Sequence, residues 1–116
     1  MIGSIRQQGV VTVVDISGRF DAVSASEIKA RLHGLIEEGR DLLVFNLKSM
    51  DFIDSAGLGV LVSCLRRAAA EGGDLRLAEV PPFCRSIFEL TRLTRVFDVT
   101  QSLEQALETV SEKAGD

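Results

Sequence analysis

The residues most able to support chemistry form a short run in the middle of the chain, where an aspartate and a serine precede two glycines. Residues 50–59 read MDFIDSAGLG, with Asp54, Ser55, Gly57 and Gly59 at the start of a predicted helix. Glycine weakens a helix by up to about 1 kcal/mol relative to alanine, so two glycines within three residues favour close approach of another molecule to the backbone. Alternatively, Asp54 or Ser55 caps the helix and the glycines let it pack tightly on a sheet. Spacing alone leaves both interpretations open.

Nucleophilic catalysis by Ser55 requires a general base within hydrogen-bonding distance of its hydroxyl. The one histidine of the chain is His33. It falls about nine residues inside the preceding predicted helix, roughly 13 Å from the edge that holds Ser55, and we expect it at the surface. The segment also differs from the GxSxG motif, and no lysine is placed to activate the serine. The sequence therefore predicts that the protein is not an enzyme.

The same segment could also be considered as a site for a metal ion or for a nucleotide, but the sequence supports both only weakly. Asp21, Asp51 and Asp54 could hold Mg²⁺ only loosely. The run DSAGLG lacks the GK[ST] ending of a P-loop and the three glycines of a dinucleotide fingerprint, although a weak nucleotide contact at a helix N-terminus stays an alternative. Neither pattern specifies a site, so we predict no metal and no cofactor.

Length, composition and charge limit the class of protein. At 116 residues the chain has the length of one ordinary domain, so residues 1–116 are predicted to form a single domain with a frayed tail at 112–116. The formal charge of −4, from 13 basic and 17 acidic residues, argues against nucleic acid as a partner. No apolar run approaches the roughly 20 residues that cross a bilayer, and no leader pattern is visible. We therefore expect a cytoplasmic protein without membrane insertion, and we take a monomer as the default while the oligomeric state stays open.

The two cysteines, Cys64 and Cys84, lack CxxC spacing and have no second histidine nearby. In the reducing cytosol such thiols stay unpaired, and small apolar thiols commonly fill gaps in a core. We predict that both are reduced, buried and unbridged.

The dominant pattern along the chain is an alternation of strand-like and helix-like segments. Strands are predicted where β-branched and apolar residues run together, and helices where apolar residues recur every three or four positions. The predicted strands are residues 2–7, 10–16, 42–47, 75–80 and 96–99, and the predicted helices are residues 24–38, 55–71, 82–90 and a closing helix capped by Ser102. Residues 48–54 are predicted as a loop. We expect the second helix to bury Leu58, Leu61, Val62, Leu65 and Ala69.

This order, ββαβαβαβα, predicts an α/β fold with a mixed, mostly parallel sheet and right-handed crossovers. In parallel strands the loops that lead from a strand into a helix lie along one edge of the sheet, where open α/β sheets place their binding sites. Residues 17–24, 48–55 and 80–82 are such loops. We expect a docking surface at this edge, formed by residues 55–62 and 20–24.

The run FIDSAGLGVL, residues 52–61, resembles the signature that the STAS domain family carries around a phosphorylated serine. Residues 18–25 resemble the family's first strand-to-helix loop, in which an aspartate is usual, and residues 85–107 resemble its closing region. Together these stretches extend the resemblance over essentially the whole chain. Ala56 stands where many members have a second serine, which leaves Ser55 as the one obvious phosphate acceptor.

The resemblance implies the STAS fold and the role of the free-standing members, the bacterial anti-sigma-factor antagonists. In that cycle the unphosphorylated protein binds an anti-sigma factor that is also a serine kinase, and a sigma factor is released. The kinase phosphorylates the serine, here Ser55, which ends the complex, and a PP2C-type phosphatase reverses the modification. We then expect the partner to contact Asp21, Ser24, Asp54, Ser55, Ala56, Gly57, Leu58 and Gly59. The alternative is a STAS scaffold subunit of a transport or stress-sensing complex, in which the serine need not be used.

Overall fold

Seven strands and four helices alternate along the residues that this computed structural model describes, which are 2–93, 98–100 and 102–115. The strands are β1 (Ile2–Gln8), β2 (Val11–Ile16), β3 (Gly18–Phe20), β4 (Leu42–Asn46), β5 (Met50–Ile53), β6 (Asp74–Ala78) and β7 (Asp98–Thr100). The helices are α1 (Ala22–Glu37), α2 (Ser55–Ala70), α3 (Pro82–Leu90) and α4 (Leu103–Gly115).

Five of these strands form one sheet in the order β1-β2-β4-β6-β7. β1 runs antiparallel to β2 and the other neighbours pair in parallel, so the predicted mixed, mostly parallel α/β sheet is confirmed. The turn between β1 and β2 contains Gly9, whose φ of 62° is a conformation that glycine adopts without strain. We call the side on which β2, β4 and β6 end the carboxyl edge.

Helices cover both faces of this sheet. Phe45 and Leu77 lie in the larger core with residues of α1, α2 and α3, whereas their chain neighbours Val44 and Ala78 lie in a smaller core with Ala106 of α4. Successive strand residues face opposite sides of a sheet, which explains why the central strands are apolar at nearly every position. Because α1 and α2 share one face and follow strands that end at the same edge, their N-termini start side by side at the carboxyl edge.

Two short strands that the sequence did not predict lie next to this edge. β3 pairs in parallel with β5, inside the segment 48–54 that we predicted as a loop, so that prediction was wrong. The Gly18 N–H donates to the Ser49 carbonyl (3.0 Å), and the Asp54 N–H donates to the Phe20 carbonyl (3.3 Å). Strands of three and four residues carry almost no periodicity, so they form through this long-range pairing. The pair joins the chain segments that lead into α1 and α2.

Two helix predictions need correction. α1 begins at Ala22 rather than Ser24, because Asp21 is its N-cap. The buried side of α2 also differs from the predicted one, and consists of Gly57, Val60, Leu61, Cys64 and Ala68. Of the predicted face, Leu61 is buried, Ala69 is exposed and the other three residues are half-buried. That face therefore lies partly toward solvent.

The last strand and helix agree with the prediction in kind. β7 begins at Asp98, while residues 96–97 of the predicted strand lie outside the described residues. The Gln105 N–H donates to Ser102 Oγ (3.2 Å), so Ser102 caps α4 as predicted. α4 extends to Gly115, and the fraying that we expected from residue 112 stays a prediction. In the part of the chain that the structure describes, no helix has the length and apolar character needed to span a bilayer.

Both cysteines match the prediction. Cys64 and Cys84 are buried and free. Burial raises the pKa of the Cys64 thiol to about 12 and that of the Cys84 thiol to about 11, because a thiolate loses hydration in an apolar core. Both thiols are therefore protonated and poorly reactive at neutral pH.

Candidate functional site

Ser55 is the first residue of α2 and lies at the carboxyl edge. Its side chain is exposed, and its hydroxyl has no hydrogen-bond partner among the described residues. The preceding residue, Asp54, accepts a hydrogen bond on Oδ1 from the Gly57 N–H at 3.0 Å, which makes Asp54 the N-cap. The capping role is thus filled by Asp54, and the serine hydroxyl remains accessible.

Asp54 also connects α2 to α1. Its second oxygen, Oδ2, accepts a hydrogen bond from the Ala22 N–H, the first residue of α1, at 3.1 Å. Both N–H groups belong to helix first turns, where donors have no intrahelical partner and the helix dipole favours negative charge. One carboxylate therefore holds two helix N-termini together. We call residues 21–24 and 54–59 the paired helix starts.

The start of α1 has its own reciprocal cap. Asp21 Oδ1 accepts hydrogen bonds from the N–H groups of Val23 (3.1 Å) and Ser24 (3.3 Å), and Ser24 Oγ accepts one from the Asp21 N–H (3.2 Å). Burial raises the pKa of Asp21, but hydrogen bonds from Ser24, Arg19 and Val23 outweigh burial, and the pKa lies below its usual value. Asp21 is therefore ionised at neutral pH and fixed in place.

Arg19 and Phe52 form a contact between the two short strands. The guanidinium carbon of Arg19 lies 3.9 Å from the centroid of the Phe52 ring, a cation–π geometry. Arg19 Nε lies 3.3 Å from Asp21 Oδ2, and the arginine side chain is 62% exposed. An ion pair this exposed adds little stability, so Arg19 mainly places a positive charge near the paired helix starts.

The two glycines of the motif have different environments. A Cβ on Gly57 would lie 2.4 Å from the Phe20 carbonyl oxygen and 2.8 Å from Ile53 Cγ1, whereas a Cβ on Gly59 would meet nothing within 4 Å. Neither glycine has a positive φ. Tight packing of α2 on β3 therefore explains Gly57, in agreement with the alternative that the glycines let the helix pack closely on strands. Gly59 is exposed, and nothing in the described fold requires a glycine there.

His33 is not available to activate Ser55. It is half-buried, contrary to our expectation of a surface position, and its Nε2 lies 2.9 Å from Ser63 Oγ. Ser63 is eight residues beyond Ser55 in α2, about 12 Å along the helix. Burial and the positive charges of Lys29 and Arg67 lower the pKa of His33. Its place is the α1–α2 interface rather than the carboxyl edge.

The three aspartates considered for Mg²⁺ are placed differently. The carboxylates of Asp21 and Asp54 accept hydrogen bonds from helix N–H groups, and Asp51 is exposed. Across residues 2–93, 98–100 and 102–115, no three His, Cys, Asp or Glu residues are grouped so as to hold a metal ion. The loose magnesium site therefore gains no support.

The eight predicted contact residues all lie in the paired helix starts but differ in exposure. Three of them, Asp21, Ser24 and Asp54, are half-buried and form internal hydrogen bonds, and Gly57 is buried. Of the other four, Ser55 and Gly59 are exposed, whereas Ala56 and Leu58 are half-buried and pack against the larger core. Phe20, which we placed in the docking surface, is fully buried and cannot contact a partner.

Val23 belongs to the predicted docking segment 20–24 but was not singled out there, and it is 92% exposed in the first turn of α1. The hydrogen bond from the Ala22 N–H to Asp54 was not predicted. A single valine between an alanine and a serine gives no periodic signal, and a contact across 32 positions leaves no local trace. Neither feature had a sequence signal that could have revealed it.

Comparisons with known proteins agree with the resemblance. A sequence profile described as the STAS domain matches residues 4–106. The anti-sigma-B factor antagonist of Bacillus subtilis (strain 168) is 33% identical over 91 residues, which are 78% of this chain and 83% of that protein.

Solved structures share the fold. An anti-sigma factor antagonist from Mycobacterium paratuberculosis superposes with a TM-score of 0.86 at 24% identity, over 96% of this chain and 93% of that one. Unphosphorylated SpoIIAA, also an anti-sigma factor antagonist, gives 0.74 at 19% identity over 100% of both chains. The phosphorylated form of SpoIIAA from Bacillus gives 0.73 at 21% identity, over 95% of this chain and 99% of that one. With the profile match covering most of its residues, this chain belongs to the STAS domain family.

Proposed function

We propose that this chain is an anti-sigma-factor antagonist whose binding is switched off by phosphorylation of Ser55. The observation that carries the proposal is the exposed Ser55 hydroxyl, without a described partner, at the start of a helix capped by Asp54. The name of the Bacillus subtilis relative supports the antagonist role. Antagonists of this kind are binding proteins rather than enzymes, in agreement with the position of His33 far from Ser55.

The proposed partners act on the same surface in turn. The unphosphorylated protein binds an anti-sigma factor with serine kinase activity, and the sigma factor is released. Phosphate transfer to Ser55 ends that complex, and a PP2C-type phosphatase removes the phosphate. The paired helix starts suit this cycle because the acceptor hydroxyl lies on the contact surface itself, so modification and binding exclude each other.

The fold should tolerate the phosphate. Phosphoserine adds about −1.5 to −2 charges and three acceptor oxygens, and the helix dipole favours negative charge at Ser55 by about 0.3–1 kcal/mol. The N–H groups of Ser55 and Ala56 have no acceptor among the described residues and could meet a phosphate oxygen. Repulsion from Asp54 and Asp21 offsets part of this gain. The similar TM-scores of the two SpoIIAA forms, 0.74 and 0.73, support a fold compatible with either state.

In the complex the phosphate is more unfavourable than in the free protein, because the partner surface that meets Ser55 fits a neutral hydroxyl. Burying a dianion there without a countercharge costs several kcal/mol. We therefore expect phosphorylation to weaken binding at least about 100-fold, or about 2.7 kcal/mol, while the free energy of unfolding changes by less than about 1 kcal/mol.

The experiment measures both quantities on one phosphorylated sample. A titration with each purified anti-sigma factor kinase encoded in the source genome gives the affinity, and a denaturant melt gives the stability. Ser55→Ala should bind and resist release by the kinase, and Ser55→Asp should weaken binding in part. Arg40→Glu is the charge-changing control, since Arg40 is exposed just after α1, at the edge opposite to the paired helix starts. It should leave binding unchanged.

A large loss of stability that parallels the loss of binding would show that phosphate unfolds α2, and the proposed mechanism would be wrong. The scaffold alternative predicts instead a stable complex with transporter or stress-assembly subunits that Ser55→Asp does not weaken. The nucleotide alternative predicts a saturable nucleotide signal that Ser55→Ala abolishes.

A further inference from the structure

Arg19 is attached to the start of α1 through both its backbone and its side chain. Its carbonyl oxygen accepts a hydrogen bond from Ser24 Oγ at 3.1 Å, and its Nε donates to Asp21 Oδ2 at 3.3 Å. The guanidinium also lies over the half-buried ring of Phe52, with 3.9 Å between the guanidinium carbon and the ring centroid. Arg19 therefore borders the paired helix starts, and contacts with two residues constrain its side chain.

The guanidinium keeps most of its hydrogen-bonding capacity for another molecule. Arginine carries five N–H donors in a planar arrangement, and within the described part of the chain only the Nε donor of Arg19 has an acceptor. The side chain of Arg19 is 62% exposed, compared with 21% for that of Asp21, its ion-pair partner. A molecule that approaches from solvent therefore meets the positive group more readily than the negative one.

The acceptors of this surface are already used, whereas several of its donors are not. Each carboxylate oxygen of Asp21 and Asp54 accepts at least one hydrogen bond from within the chain. The N–H groups of Ser55 and Ala56 have no acceptor among the described residues, like the terminal nitrogens of Arg19. Donors that lose water in an interface cost free energy unless they are paired, so a matching partner brings acceptors. A carboxylate suits Arg19 best, because its two oxygens match the guanidinium geometry.

We propose that Arg19 pairs with an acidic side chain of the anti-sigma factor and so contributes to the choice of partner. This inference rests on the proposed function and names the chemistry of one contact. A stable interface takes about 20–30 residues from each protein, more than the paired helix starts supply, so a partner that covers Ser55 reaches the arginine that contacts Asp21 and Ser24. Because Phe52 and Asp21 already constrain the arginine, less side-chain freedom is lost on binding. A partner with a basic group at this point would be repelled.

The same contact strengthens the effect of the phosphate. Phosphorylation of Ser55 places a dianion on the surface that Arg19 borders. An acidic partner group that pairs with Arg19 is then brought toward a second negative charge, and like charges in an interface repel each other. Repulsion therefore adds to the cost of removing the phosphate from water, and both effects favour release.

The test removes or reverses the charge of Arg19 in the full chain. The probes are the purified anti-sigma factor kinases encoded in the source genome, titrated one at a time. Arg19→Gln should weaken the complex about tenfold, and Arg19→Glu should weaken it at least about 100-fold, because two acidic groups would then face each other. Arg40→Glu is the matched control, since it makes the same change of charge at the opposite edge, and it should change the affinity less than about twofold.

Two further measurements separate a charge contact from a structural role. The affinity of the wild type should fall more between about 50 mM and about 500 mM NaCl than that of Arg19→Gln, because salt screens the charge pair. Among single aspartate-to-arginine and glutamate-to-arginine variants of the anti-sigma factor, one should restore binding to Arg19→Glu by at least about tenfold. Denaturation midpoints should be nearly equal for the wild type, Arg19→Gln and Arg40→Glu, since exposed ion pairs add little stability.

The inference is wrong if Arg19→Gln and Arg19→Glu bind as tightly as the wild type, although the antagonist role then stands. It is also wrong if Arg40→Glu loses as much affinity as Arg19→Glu, or if no acid-to-arginine variant of the partner restores binding. If Arg19→Gln leaves the affinity unchanged but raises the pKa of the phosphate on Ser55, measured by phosphorus NMR, the arginine serves the protein's own phosphate instead. If the wild type binds none of the anti-sigma factors, the proposed function fails, and this inference with it.

Discussion

Gly59→Ala is expected to stabilise the isolated protein and to weaken its complex with the anti-sigma factor. The free energy of unfolding and the binding affinity should therefore change in opposite directions. Alanine is more favourable than glycine in a helix interior by about 0.8–1.0 kcal/mol. The new Cβ would meet nothing within 4 Å, so no clash reduces this gain. For a domain of 116 residues the melting temperature should rise by about 3–5 °C.

The expected loss of binding follows from the surface on which Gly59 lies. Gly59 is exposed one turn beyond Ser55, and a partner that contacts the helix backbone there must make room for an added methyl group. Extra volume in a packed contact typically costs 1–3 kcal/mol, which is about 5- to 150-fold in affinity. The opposite signs arise because solvent accommodates the methyl group in the free protein and a packed interface does not.

Two other glycines provide matched controls. Gly34→Ala adds a Cβ in α1 that also meets nothing within 4 Å, so it should stabilise the fold similarly and leave binding unchanged. Gly57→Ala would place a Cβ 2.4 Å from the Phe20 carbonyl oxygen, and should destabilise the protein despite the gain in helix propensity. Denaturant unfolding and titration with the anti-sigma factor are measured on each variant. If Gly59→Ala and Gly34→Ala stabilise equally and bind equally, the partner does not approach Gly59 and our interpretation is wrong.

Two further predictions follow from ionisable groups. The pKa of Asp21 lies below the ordinary value of 3.8, so the stabilising effect of its carboxylate is complete above about pH 5 and is lost as the pH falls below about 4. Denaturant melts of the wild type and of Asp21→Asn at about pH 6 and about pH 3 measure this effect. The difference in stability between the two proteins should be smaller at the lower pH. A pH-independent difference would contradict the role of the Asp21 charge. Burial raises the pKa of Cys64 to about 12 and of Cys84 to about 11, so a thiol reagent should label the native protein slowly and the denatured protein fast. Rapid labelling of both native thiols would count against their burial.

The central part of the fold could be predicted because its signals are local. β4 is apolar at consecutive positions, which indicates a central strand covered on at least one face and partly on the other, and Val44 and Phe45 do lie in different cores. β3 and β5 could not be predicted in this way. Their pairing joins residues about 32 positions apart, and each strand is too short to show a period.

The candidate site was predictable in position but not in the roles of its residues. Parallel topology alone places the first turns of α1 and α2 at the same edge. The sequence could not distinguish Gly57 from Gly59, because the difference depends on the Phe20 carbonyl, which approaches from β3. It also could not show that the Asp54 carboxylate is occupied by N–H groups of two helices.

Because both carboxylate oxygens of Asp54 already accept hydrogen bonds, Asp54 is poorly placed to bind a partner through its carboxylate. If its carboxylate turned outward, the N–H groups of Ala22 and Gly57 would lose their acceptor, and each unsatisfied donor costs roughly 1–3 kcal/mol where water cannot replace it. Asp54 therefore acts mainly as a positioning residue that holds α1 and α2 in a fixed relation. A phosphate on Ser55 breaks neither hydrogen bond, and at an exposed edge its repulsion of Asp54 is screened by water and salt. The modification can then change what a partner meets at Ser55 while the helices that present it stay in place.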